Sequence, residues 1–176
     1  MGEPQATVAT LGAIRSPVSV TKALAAAGDY AAEDVLSESA SAGTGWTFSS
    51  MVSVNGASGY IVRAQAICET TNLTPRLTLY LLTVASTGAT NDNVVNTTLV
   101  HADLVNYIGK IDFPAMEDLG GDSEAVVTPS TSGNLPLAFT CASGDTALYG
   151  ILVTRDAITG EAAGDDMTIR LVVEGV

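Results

Sequence analysis

Few residues in this sequence could do covalent chemistry. His101 is the single histidine, with Asp103 two residues on. A Ser-His-Asp hydrolase needs an imidazole within hydrogen-bond reach of an activated hydroxyl. No Gly-x-Ser-x-Gly elbow is present; Gly56-Ala57-Ser58-Gly59 is too short and reads as a turn. His101 is therefore read as a polar residue on a short surface helix, and no catalytic residue is expected. Zinc needs clustered Cys and His, and Cys68, Cys141 and His101 are scattered. The acidic run Glu117 to Glu124 has four carboxylates and two glycines, which raises calcium. It lacks the Asp-x-Asp-x-Asp-Gly order of a calcium loop, so it reads as a solvated acidic loop, with Asp118, Asp122 and Glu124 as its candidate metal ligands. No glycine-rich phosphate cradle occurs, and no cofactor is expected. A sugar platform would show aromatic rings on an exposed face, whereas Trp46 and Phe48 alternate onto a face that looks like core.

Charge and composition narrow the partners. The chain has 176 residues, 19 acidic against 7 basic side chains, and a formal net charge of -12. Seven scattered cations cannot neutralise a row of phosphates, so nucleic acid is not an expected partner. With 47% hydrophobic residues and 15% charged, the chain can build a full core and is not disordered. No run approaches the roughly 20 apolar residues of a membrane helix, and no membrane partner is expected. Met1-Gly2-Glu3-Pro4 lacks the basic start of a secretory signal. Synthesis in a reducing bacterial cytoplasm fits, with Cys68 and Cys141 as buried thiols and the sequons at Asn72 and Asn96 unused.

The elements that must position these residues are mostly strands. Residues 1–16 alternate without a clear period and read as an extended N-terminal arm, with Val8, Leu11 and Ile14 as candidate contacts to a partner. Residues 17–176 read as one β-sandwich domain. Period-2 alternation marks strands over 46–54, 60–69, 76–84, 147–155 and 167–174. Within 60–69, Tyr60, Val62, Ala64, Ala66 and Cys68 share one face, and this run with 76–84 reads as a hairpin. Asn55-Gly56 and Ser143-Gly144-Asp145 read as tight turns. Thr98 to Tyr107 is the one helical candidate, with Thr98 as N-cap and Gly109 just past its end. Eight or nine strands, at most one or two short helices and no βαβ rhythm give an all-β fold: an antiparallel two-sheet sandwich, jelly-roll-like.

Gly28-Asp29-Tyr30-Ala31-Ala32-Glu33-Asp34-Val35-Leu36 resembles a Tyr-Ala-Ala-Gly-Asp-Val segment near the N-termini of small structural proteins of tailed bacteriophages. Tyr30, Ala31, Ala32, Asp34 and Val35 match, and Glu33 stands where that group has a glycine that marks a turn. Tyr60-Ile61-Val62, Ile111-Asp112-Phe113-Pro114 and Leu148-Tyr149-Gly150-Ile151-Leu152-Val153 are similar to the same group and follow in the same order. The resemblance implies a β-sandwich decoration (cement) protein or small head component, without catalytic residues. It implies location on the outer capsid surface of the virion, the phage major capsid protein as partner, and homo-oligomers, often trimers. The competing readings are a tail, baseplate or small capsid jelly roll, and a carbohydrate- or receptor-binding sandwich.

Overall fold

The structure is a computed structural model that describes residues 15–25, 29–129, 134–160 and 164–175. Ten strands are described: β1 (Arg15–Ala23), β2 (Trp46–Phe48), β3 (Ser58–Cys68), β4 (Leu77–Leu82), β5 (Tyr107–Asp112), β6 (Glu117–Asp118), β7 (Ser123–Val127), β8 (Leu137–Thr140), β9 (Leu148–Thr154) and β10 (Asp166–Gly175). They form a six-stranded sheet, ordered β1-β10-β3-β7-β6 with β8 also on β3, and a four-stranded sheet, ordered β2-β9-β4-β5. Every strand pair is antiparallel. The chain alternates between sheets over β1 to β4, and again over β8 to β10. That winding is the double Greek key of a jelly roll. The expected all-β, two-sheet sandwich is what the chain forms.

The alternation explains the packing. Met167, Ile169, Leu171 and Val173 of β10 are buried, as are Leu77, Leu79 and Leu81 of β4. They meet Ile61, Ala64, Ala66 and Cys68 of β3 in one core between the sheets. Each large aliphatic side chain removed from water there contributes roughly 1.5–3 kcal/mol. Trp46 and Phe48 project into the same core, and the indole Nε1 donates to the Leu36 carbonyl at 3.0 Å. Trp46 and Phe48 are core residues, as their spacing predicts.

Four local expectations are corrected. The strand expected over 46–54 ends at Phe48, because Ser50 turns into the left-handed region (φ 60) and the Met51 amide bonds to the Thr146 carbonyl. Only the turn at its end stands as expected, with Gly56 at φ 72 and the Ala57 amide on the Val54 carbonyl. In β3 the buried set is Gly59 and Ile61, then Ala64, Ala66 and Cys68, while Tyr60 is exposed. A bulge opposite Val172 and Val173 leaves Val62 unpaired and shifts the inward face by one residue. β3 and β4 are not a hairpin, since they lie in opposite sheets. The candidate helix is a 3-10 helix, His101–Asn106, with Val100 at its N-cap. Thr98 cannot cap it, because its hydroxyl donates to the Ala89 carbonyl at 2.7 Å and Leu99 follows at φ 65. Gly109 lies within β5. β1 opens at Arg15, and its first pairs, Arg15 with Glu174 and Ser16 with Val173, take in the end of the 1–16 segment.

Candidate functional site

The residues read as chemically competent do not converge. His101 is exposed on the 3-10 helix. The Asp103 carboxylate points inward and accepts hydrogen bonds from Ser86 Oγ (2.9 Å), the Thr87 amide (3.1 Å) and Thr87 Oγ1 (2.9 Å). Burial pushes that carboxyl up, but these three donors outweigh it and hold it below the ordinary aspartate range. Asp103 is thus a fastener for the connection, not an orienting partner for His101.

The acidic run folds as the β6–β7 hairpin. Glu117 pairs with Glu124 and Asp118 with Ser123, and the Leu119 amide closes the turn onto the Asp122 carbonyl at 2.7 Å. Asp118 caps the Gly120 amide, and Glu124 accepts from Gln65 Nε2 at 2.6 Å. Among the described residues no group of three or more His, Cys, Asp or Glu is placed to hold a metal ion. Cys68 and Cys141 are buried thiols, and burial together with Asp145 pushes the Cys141 thiol up. Val8, Leu11 and Ile14 lie outside the described residues. No helix among the described residues is long and apolar enough to cross a membrane.

The structure brings together instead a surface on the long connection between β4 and β5. Six of the large hydrophobic side chains exposed on the described residues fall within it: Val84, Val94, Val95, Val100, Leu104 and Val105, the last 85% exposed. The Thr83 amide donates to the Asn106 carbonyl at 2.9 Å, so the two ends of the connection run side by side and carry Val84 and Val105 together. The middle is pinned to the connection between β1 and β2. Tyr30 Oη and the Ser37 amide donate to Asp92, Ser37 Oγ donates to the Thr90 carbonyl, and Thr90 Oγ1 donates to the Gly43 carbonyl. Gly43 is required there, because a Cβ would stand 2.2 Å from the Thr90 carbonyl oxygen. The amide of Val35 reaches the Val94 carbonyl, and Val35 and Leu99 cover Leu82, Ile151 and Val153 on the outside of the four-stranded sheet.

The electrostatics of this surface follow from the same bonds. Its two carboxylates, Asp92 and Asp103, are 1% and 2% exposed. A chain with 19 acidic residues therefore presents one apolar stretch with its own acids turned inward. By composition residues 86–98, rich in Ser, Thr, Asn, Gly and Asp, read as an exposed loop, which does not mark this surface. The available signal was Val94-Val95 set inside a Ser/Thr/Asn run.

A cleft of about 380 Å³ lies between β3, β5 and β8, lined by Ser58, Tyr60, Ile108, Phe139 and Thr140 among others. Ser58 and Thr140 bond to each other across it at 2.8 Å.

No family model and no curated protein matches the chain. The chain is similar to a solved structure titled "Sacbrood virus of honeybee", with TM-score 0.30 and 13% identity, over 99% of this chain and 74% of that chain.

Proposed function

We propose that the chain is a non-enzymatic virion structural protein, a jelly-roll subunit that binds the outside of a tailed-phage capsid and stabilises the shell. The observation that carries this reading is the apolar connection between β4 and β5, held in place by two buried aspartates on an otherwise acidic molecule. Six exposed large hydrophobic side chains concentrated in one connection mark a contact site. Turning the local carboxylates inward spares such a contact the cost of desolvating them and removes like-charge repulsion at the point of approach.

Two further features support the reading. Jelly rolls recur in viral capsid domains, an argument by analogy of fold. The segment Tyr30 to Val35, which resembles phage head proteins, turns at Glu33, which departs from the motif's glycine but sits at φ 73, where glycine is favoured. In this reading the subunits associate as homo-oligomers, with a trimer as the expected form, and residues 1–16 add contacts through Val8, Leu11 and Ile14. The finer placement, head surface against tail or baseplate, is part of the proposal.

A carbohydrate- or receptor-binding module is the second reading, and the cleft beside the exposed Tyr60 is the feature that favours it. Electron microscopy of particles from the source separates the two. Jelly-roll density on the outer face of the capsid is the expected result. Particles without that density, together with glycan binding lost in Tyr60→Ala, would replace the first reading with the second.

A further inference from the structure

Cations are scarce on this chain, and most are spoken for. Lys22 pairs with Glu38, Arg76 with Asp156, Lys110 with Asp112 and Arg155 with Glu33. Among the described side chains, two arginines have no ion pair: Arg63 on β3 and Arg170 on β10. They belong together. Arg63 stands opposite Val172 and Arg170 opposite Gln65, so the two are diagonal neighbours on the outer face of the six-stranded sheet. Both are exposed, and Arg170 has only a long 3.3 Å contact from its Nε to Ser19 Oγ.

The surroundings leave this charge uncompensated. The same face carries Pro17, Ser19 and Thr21 on β1, Thr168 and Val172 on β10, and Gln65 and Ile67 on β3. The carboxylates on this face stand away from the pair: Asp166 and Glu174 lie four residues to either side of Arg170 on β10, and Glu124, engaged by Gln65, faces Glu117 at the β7–β6 side of the sheet. A pair of unpaired cations thus sits on a molecule of net charge -12.

We infer that this face receives a second copy of the same chain, through the acidic β6–β7 hairpin of the neighbour. This inference rests on the self-assembly in the reading above and assigns the contact that makes it. The hairpin is the complement in charge. Glu117, Asp118 and Leu119 are exposed on it, with Asp122 half-buried, and Glu117, Asp118 and Asp122 form no ion pair among the described residues. β6 is the last strand of its sheet, so the hairpin stands at an edge, while the arginines lie on the sheet face. The hairpin at the sheet edge and the arginines on the inner strands β10 and β3 are different parts of the surface, so the contact is heterologous and propagates into a closed ring or a lattice rather than a two-fold dimer. Guanidinium groups take carboxylates in paired, planar hydrogen bonds, which fixes the angle of approach. A single contact of this kind is weak and screened by salt, so repetition around a ring supplies the avidity.

The test is sedimentation of the full chain at about 50 mM and about 500 mM NaCl, conditions that span strong and weak screening. Wild-type protein is expected to self-associate at the lower salt and dissociate at the higher. Arg63→Glu with Arg170→Glu weakens association about tenfold or more, with melting curves confirming that the variant is folded. Glu117→Lys with Asp118→Lys and Asp122→Lys, on a separate protein, does the same. Mixing the two charge-reversed proteins restores association, because each then faces its opposite. Three results would each overturn this contact: a wild-type monomer at both salts, association unchanged in the arginine variant, or no recovery on mixing. A wild-type monomer at both salts would also remove the self-assembly from the reading above, whereas the other two results overturn this contact alone; binding to capsids is decided separately.

Discussion

The Tyr30 hydroxyl donates to both carboxylate oxygens of Asp92, at 3.1 and 3.0 Å, across 62 residues of chain. Together with the Ser37 amide at 2.7 Å, this bond fixes the β4–β5 connection against the β1–β2 connection. Both residues are buried, at 1% exposure each. The apolar surface proposed to meet the capsid is therefore only as rigid as this pair.

Asp92→Ala should lower stability by about 2–4 kcal/mol, because it removes the carboxylate that accepts from two buried donors, the Tyr30 hydroxyl and the Ser37 amide. For a chain of this length that is a fall in Tm of roughly 5–15 °C. Thermal unfolding followed by circular dichroism checks it, and a change under about 1 kcal/mol would show that the pair holds nothing in place.

Glu38 makes the second test, through pH. Burial pushes its carboxyl up, but hydrogen bonds from Lys22 and Thr44 and the Lys22 charge bring it down from 4.5 to about 2. The folded value lies below the unfolded one, so the stabilisation is full above about 4.5 and is lost as pH falls toward about 2. Lys22 Nζ lies 5.7 Å from the centre of the Trp46 ring, so indole fluorescence reports on this pair. Denaturant melts from about pH 6 down to about pH 2 should show stability falling on the acid side, and falling less steeply in Glu38→Gln. Asp92 acts in the opposite sense: burial, with Glu38 and Asp34 nearby, raises its carboxyl, so its own contribution falls as pH rises through the raised value. Identical pH profiles for wild type and Glu38→Gln would remove the Lys22–Glu38 pair from the acid response.

Alternation in β10 and β4 was legible because a period of two, one face dry and one wet, survives translation into sequence without distortion. β3 was half legible. Nothing in Tyr60-Ile61-Val62-Arg63 announces the bulge that moves the inward face from Ile61 to Ala64. Partnering was less legible still, since residues 69–76 join two sheets and a polar break reads the same whether the chain turns back or crosses over. The apolar site was hidden because its exposure depends on where Asp92 and Asp103 point, which is decided by partners as distant as Tyr30.

Glu33 offers a test of the turn in the segment Tyr30 to Val35. Its φ of 73 is strained for a residue with a side chain and free for glycine. Its carboxylate also takes Arg155 at 2.5 Å, an exposed pair of small value. Glu33→Gly should be neutral or stabilising by up to about 1 kcal/mol, while Glu33→Val, β-branched at the same φ, should cost about 1–2 kcal/mol. Equal losses in both variants would mean the left-handed turn is absent in solution.

The central claim is tested most directly by co-sedimentation of the purified chain with capsids that lack it, comparing wild type with Val105→Asp and Leu104→Asp combined. Both side chains are exposed, so the variant should melt within about 0.5 kcal/mol of wild type. The account predicts saturable binding of wild-type protein at a fixed ratio to the shell subunit, weakened at least about tenfold in the variant, since two charges are placed in an apolar contact. Wild-type protein left in the supernatant at every concentration, or equal binding by the variant, would contradict it.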